Sequence, residues 1–286
     1  MTATSAVPAA PAARARLGGR AGRASFGGTL RSELTKIRSV RSTYWTLLAL
    51  VVACAGIGAL GSYGHAHQFG QLPAFAQAHQ RAHEISNAPM VSLFGVILGQ
   101  LIIAVLGALT VTSEYSTGMI RTSLTVLPKR GMVFTAKAVV FGAIALITGL
   151  VTSFLSFFLG QAILSGQHIN ATLSQPGVLR AVVGAGLFLG VCGLLSYGLG
   201  ALIRHTAGAV SASIGLLFVA FVLAQFLPAD WAVHVDKWIP FNAGAAIWEQ
   251  QSAPDMLSPW TGFGVFCGYA AIAIALGLYR FRNRDT

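Results

Sequence analysis

The chain has 286 residues, 55% of them hydrophobic and only 9% charged, with a formal net charge of +11. This composition excludes an ordinary soluble domain, in which about a quarter of the residues are charged. The basic residues lie at the ends of apolar runs and not among base-stacking aromatics, so the positive charge does not predict a nucleic-acid partner. It is typical of a membrane protein whose basic residues contact lipid headgroups.

Residues 1–28 form a tail rich in Ala, Pro, Gly and Arg. The tail lacks the compact order of charged region, apolar region and small-residue cleavage site that marks a secretion signal. We expect it to be disordered and cytosolic, with a weak attraction to anionic lipid. Residues 29–282 are predicted to form a single transmembrane domain.

The segment from Thr29 to Thr43 has the periodicity of an amphipathic helix that lies in the membrane surface. Its apolar positions are Leu30, Leu34 and Ile37, and Arg38 lies on another face with Arg31 and Lys36. Two roles remain open at this point. The helix is either a simple anchor or an elbow against which an attached soluble subunit pushes.

Six runs approach or exceed the roughly 20 apolar residues that a helix needs to cross a bilayer. Each must be helical, because lipid offers no hydrogen-bond partner to backbone amides. The sequence therefore predicts an all-α membrane protein with six transmembrane helices. The runs are Tyr44 to Ser62, Met90 to Thr112, Thr135 to Leu159, Leu179 to Ile203, Ala207 to Leu227, and Trp260 to Phe281.

The distribution of Lys and Arg predicts the orientation. Sixteen of the nineteen lie before the first span, around the second connection, at the fourth connection or after the last span, all on one side of the membrane. The positive-inside rule assigns that side to the cytoplasm, with both termini there. We expect the protein to reside in the plasma membrane.

Glycine pairs at four-residue spacing occur inside three of the spans, where they allow helix backbones to approach closely. We expect them to pack helices within one subunit and not to form a dedicated dimer seam. The pairs are Gly95 with Gly99, Gly186 with Gly190, and Gly264 with Gly268.

The chain carries no recognisable catalytic or nucleotide-binding motif. A phosphate-cradling Walker loop needs a Gly-Lys step, and none of the four lysines follows a glycine. The three cysteines all lie within spans and predict packing residues, not disulfides. No carboxylate is found near the middle of a span, where a proton-coupled carrier would need one.

The two long outer connections carry histidines and aromatics. His79 and His83 lie four residues apart between Gly64 and Pro89, but no Cys or well-placed carboxylate beyond Glu84 completes a zinc shell, so no metal site is predicted. Residues 228–259 are rich in Trp, Phe and Ile. This segment is expected either to anchor the protein at headgroup depth, which we favour, or to cap the mouth of a pathway.

The second connection, from Ser113 to Leu124 and on to Pro128-Lys129-Arg130, resembles the cytoplasmic coupling segment of ABC-2 type transporter permeases, especially the small actinobacterial ones. The stretch from Ser32 to Trp45 is similar to the surface helix that opens such permeases. The resemblance implies a short coupling helix between the second and third spans that docks on a separate ATP-binding subunit. Its docking residues would be Glu114, Tyr115, Gly118, Met119, Ile120, Arg121 and Leu124.

The residues themselves agree with such a helix. Ser113 is a suitable N-cap, Glu114 would follow at the positive end of the helix, and Met119, Ile120 and Leu124 offer apolar contacts to a partner. A solvated turn between two spans is the plainer alternative, but it leaves those apolar side chains exposed.

The resemblance implies the permease subunit of an ATP-driven exporter that pairs with a second, identical or different, permease subunit. Such a subunit would bind no cofactor itself, since ATP and Mg²⁺ belong to the partner ATPase, and it would not be an enzyme. The alternative is a channel or ion-coupled carrier that works without ATP, and an intramembrane enzyme that uses the outer histidines is the third possibility.

Overall fold

The computed structural model describes residues 26–116, 130–228, 231, 234–250 and 256–283. Every regular element in these ranges is helical, which confirms the predicted all-α class. The main helices are α1 (Phe26–Ser39), α2 (Arg41–Gly70), α3 (Ala74–Ser92), α4 (Val96–Ser116), α5 (Arg130–Leu164), α6 (Val178–Ile203), α7 (Thr206–Ile214), α8 (Ala220–Ala224), α9 (Pro240–Ala245) and α10 (Pro259–Asn283).

Six stretches of these helices are long and apolar enough to cross a membrane, as predicted. They are Arg41–Gly70, Ala74–Tyr115, Gly131–Gln167, Val178–Ile203, Thr206–Ala224 and Pro259–Asn283. The fifth comprises α7, a wider turn at Gly215–Val219 and α8. In that turn the amide of Ala220 donates to the carbonyl of Gly215, five residues back, which is the pattern of a π-bulge.

Helix α6 forms the centre of the bundle and packs against α4, α5 and α10. In its most apolar stretch 67% of the residues are buried, compared with 22% in the fifth span. The aromatic ring of Tyr197 is fully buried, and its hydroxyl donates to the carbonyl of Phe134 on α5 at 2.9 Å. Phe188 stacks on Phe266 of α10 with ring centroids 5.3 Å apart. The middle of the bundle is therefore filled with side chains.

Two of the three glycine pairs perform the predicted packing role. A Cβ atom at Gly186 would lie 2.8 Å from the Cα of Leu150, and one at Gly99 would lie 2.4 Å from the sulfur of Cys54, so only glycine permits these contacts. The third pair does not fit the prediction, because a Cβ atom at Gly264 or Gly268 would meet nothing within 4 Å. That face of α10 is not packed against the described part of its own subunit.

The second span differs from its predicted limits. We expected one helix over Met90 to Thr112, but α3 ends at Ser92 and α4 starts at Val96, with a turn over 93–95. The turn lies against α2, since a Cβ atom at Gly95 would be 2.1 Å from the carbonyl oxygen of Cys54. The preceding connection is also helical, because α2 continues to Gly70 and α3 begins at Ala74.

The last outer connection packs partly into the bundle. Trp231 is 67% exposed, whereas Trp248 is 2% exposed and lies beside Phe188. The guanidinium of Arg180, at the start of α6, donates to the carbonyls of Ile247 and Glu249 at 2.9 and 3.0 Å. Part of this segment thus closes one end of the bundle, whereas Trp231 remains exposed.

Candidate functional site

The predicted coupling residues fall in two groups. Glu114 and Tyr115 belong to the last turn of α4, which runs on to Ser116. Gly118, Met119, Ile120, Arg121 and Leu124 lie outside the described residues, so the coupling helix itself stays a prediction. The described structure thus fixes the two ends of the segment, at Ser116 and Arg130.

The predicted helix start at Ser113 is wrong. Ser113 and Glu114 continue α4, so Glu114 lies at the carboxyl end of a helix, where the helix dipole disfavours a carboxylate. A nearby cation compensates. The ammonium of Lys137, in the second turn of α5, donates a hydrogen bond to Glu114 Oε1.

Lys137 also contacts a second carboxylate, on α1. Its Nζ atom lies 3.2 Å from Glu33 Oε2, and the Nζ atom of Lys36 lies 2.7 Å from Glu33 Oε1. Glu33 is 1% exposed and Lys137 is 7% exposed. We call Glu33, Lys36, Glu114 and Lys137 the charge cluster. It connects the surface helix to both helices that flank the predicted coupling segment.

The surface helix packs against the bundle through the face that carries Thr29 and Glu33. Thr29 and Glu33 are buried against the bundle, whereas Leu34 is 38% exposed, Leu30 and Ile37 are half-buried, and Arg38 is part of the same helix. The charge of Glu33 is tolerated inside because Lys137 and Lys36 pair with it. Leu34 is left free to contact lipid.

The last turn of α4 is also held by aromatic contacts. The ring of Tyr115 makes an edge contact with Phe281 of α10 at a centroid separation of 6.5 Å, and the guanidinium carbon of Arg204 lies 5.1 Å from its centroid. Arg204 ends α6 in a left-handed conformation, with φ of 64°, and donates to the carbonyl of Arg280 at 2.7 Å. The last turn of α4 is therefore tied to α6 and α10 as well as to α1 and α5.

A pocket of about 440 Å³ lies beside the charge cluster, between α1, α2, α4 and α5. The cluster forms one end of it, and Leu106, Leu109, Phe141 and Ile144 form an apolar wall. Sequence reasoning missed this pocket, and it missed the burial of Glu33.

Histidines of α2 and α3 form polar contacts in this part of the chain. His65 Nε2 lies 2.5 Å from Glu84 Oε2, which links α2 to α3, and the amide of Asn87 meets His83 at 2.9 Å. In the described part of the chain no three His, Cys, Asp or Glu residues are grouped so that they could hold a metal ion.

A sequence model of the family described as "ABC-2 family transporter protein" matches residues 30–286. The chain belongs to the ABC-2 transporter family. It is thus a permease component of an ABC transporter, a multi-pass membrane protein whose role is transport. No curated protein matches the permease. The match covers residues 30–39 of α1 and all six spans, so the buried Glu33 of the surface helix lies within the matched region.

Proposed function

We propose that the permease forms the membrane path of an ATP-driven exporter together with a second permease subunit, and that residues 117–129 dock on a separate ATP-binding subunit. The observation that carries this proposal is the charge cluster. Glu114 precedes the segment, and Lys137, which follows it, pairs with both Glu114 and the buried Glu33 of the surface helix.

The geometry gives a docked segment a firm mechanical connection to the bundle. Its ends lie in α4 and α5, which the shared cation of Lys137 holds together and joins to α1. Tyr115 joins the same point to α6 and α10. A displacement of the segment by a partner is therefore passed to five helices at once, and packed helices of this kind move as units.

We assign ATP hydrolysis to another polypeptide. The sequence contains no Gly-Lys step that would build a Walker loop, so we assign ATP and Mg²⁺ to the partner. The permease itself supplies the path and the docking surface and carries out no chemistry.

The packed interior supports the proposal of a second permease subunit. Phe141, Phe188, Tyr197 and Phe266 fill the centre of the bundle at 0 to 2% exposure. A path through the middle of one chain would have to disrupt this core, whereas a path between two chains would not. The walls of such a path would be apolar, which suits an amphipathic or hydrophobic compound. We place both termini and residues 117–129 in the cytoplasm, on the basis of the distribution of Lys and Arg.

The proposal is tested by purifying the tagged permease from native membranes, identifying the soluble P-loop ATPase that accompanies it, and measuring ATP hydrolysis in liposomes. Ile120→Arg is expected to abolish both co-purification and the permease-dependent rise in ATP hydrolysis. Phe75→Arg is the matched control, since Phe75 lies at the other end of the bundle and is 79% exposed. Normal stimulation by Ile120→Arg, or a voltage-dependent current with no associated ATPase, would contradict the proposal.

A further inference from the structure

The pocket beside the charge cluster is lined by different polar groups at its buried and its exposed ends. Its inner end holds the carboxylates of Glu33 and Glu114 with Lys137 between them. Its mouth carries Lys36 and the hydroxyl-bearing Ser39 and Ser42, which are at least partly exposed. One pocket therefore offers acidic groups inside and a basic group with hydroxyls outside.

The remaining wall is apolar and leads into the membrane-spanning part of the protein. It comprises Leu106 and Leu109 on α4 and Phe141 and Ile144 on α5. Leu106 and Glu114 are eight residues apart on one helix, so the apolar wall extends about 12 Å from the charges. Leu109 is 37% exposed, which opens the pocket sideways, in the direction from which a membrane lipid would enter.

One carboxylate oxygen in the pocket, Glu33 Oε2, lacks a hydrogen-bond donor among the described residues. Glu33 Oε2 is buried and accepts no hydrogen bond from the described residues, although Lys137 Nζ lies 3.2 Å away as a counter-charge. A buried carboxylate oxygen favours an additional N–H donor. The cluster contains two carboxylates and two ammonium groups, so it carries no surplus positive charge that would select an anionic ligand.

We propose that this pocket binds an amphiphile with a primary ammonium and a phosphate in its headgroup, that is, a phospholipid of the phosphatidylethanolamine type. The ammonium donates to Glu33 Oε2 at the inner end, the phosphate meets Lys36 and the hydroxyls at the mouth, and the first acyl carbons lie on Leu106, Leu109 and Phe141. The site lies within one subunit and does not depend on the proposed ATP-driven cycle.

The test is native mass spectrometry of the delipidated permease, without ATPase or nucleotide, titrated with dioleoyl phosphatidylethanolamine, phosphatidylcholine and phosphatidylglycerol. We expect one phosphatidylethanolamine per chain, bound about tenfold or more tightly than phosphatidylcholine, because a quaternary ammonium has no N–H to donate. Dodecylamine should displace the lipid and dodecyltrimethylammonium should not. Displacement by dodecylamine alone, with no retained lipid, would show that a free amphiphilic amine and not a phospholipid is the ligand, and would overturn the lipid assignment.

Leu109→Trp narrows the opening of the pocket at Leu109. We expect this substitution to abolish the preference for phosphatidylethanolamine. Leu276→Trp is the matched control, because Leu276 is an exposed leucine on α10 away from the pocket. Glu33→Gln should reduce phosphatidylethanolamine binding to the level of phosphatidylcholine. Equal binding of the three lipids, or full retention of phosphatidylethanolamine by Leu109→Trp, would overturn the proposal.

Discussion

Replacement of Lys137 by Met removes the cation that two carboxylates share. Glu33 and Glu114 have side chains that are 2% and 16% exposed, so neither is fully solvated. Loss of one partner from a buried ion pair costs about 3 to 5 kcal/mol. Because Glu33 retains Lys36 at 2.7 Å, we expect the lower end, about 3 kcal/mol of unfolding free energy.

The assay is unfolding of the purified permease in mixed micelles by increasing SDS, followed by the fluorescence of its five tryptophans. Lys36→Met is the matched control, since it removes a partly exposed Lys from the same carboxylate and should cost at most about 1 kcal/mol. Adding Glu114→Gln to Lys137→Met should restore about 1 to 2 kcal/mol, because one of the two uncompensated charges is then gone. If Lys137→Met is no more destabilising than Lys36→Met, the charge cluster does not hold the three helices together.

Three further predictions concern the rest of the bundle, each measured by the same SDS unfolding. Arg180→Met should destabilise the protein by about 1.5 to 3 kcal/mol, because the carbonyls that Arg180 contacts lose a charged donor. Arg180→Lys should recover only part of this loss, since Lys lacks the planar guanidinium. An unchanged free energy of unfolding in Arg180→Met would show that Arg180 does not hold this end of the bundle closed. Gly186→Ala should cost about 1 to 3 kcal/mol by overpacking against Leu150, whereas Gly264→Ala should be neutral or stabilising. Equal effects of the two substitutions would show that Gly186 is not needed for the close approach of its helix to Leu150. Burial, with a smaller effect from Asp236, raises the pKa of Glu249, so folding favours its protonated form, and the stability that this form contributes is lost as the pH rises through the raised pKa. Glu249→Gln should therefore stabilise the protein at neutral pH and not at pH 4. A stabilisation that does not depend on pH would contradict this.

The six spans were predictable because lipid imposes a strong, local requirement for about 20 apolar residues in a helix. Their interruptions were not. The turn at 93–95 lies inside a continuous apolar run, and the only local sign of it is Gly95, whose need for close contact with Cys54 depends on where α2 lies. The helical extension of α2 to Gly70 likewise lacks an apolar signal.

The candidate site was predicted in part for a similar reason. Glu114 and Lys137 stand out in the sequence as charges next to apolar runs, and their proximity follows from the short connection between their helices. Glu33 does not stand out, because the periodicity of Leu30, Leu34 and Ile37 assigns it to a solvated face. Its burial depends on Lys137, which is far along the chain, and no local pattern reports that pairing.

The glycines of α10 illustrate the limit of a motif. Gly264 and Gly268 have the same spacing as Gly186 and Gly190, yet only the latter pair has neighbours in the described subunit. The spacing shows that one helix face carries small residues. Whether another helix covers that face depends on how the whole bundle packs.

Site-specific photo-crosslinking in native membranes tests whether residues 117–129 contact an ATP-binding subunit. A photoreactive amino acid is introduced at position 120 in one protein and at position 75 in another. We expect a covalent product with a P-loop ATPase from position 120 and none from position 75. Crosslinks from position 120 to lipid or to the permease alone, with equal expression of both proteins, would contradict it.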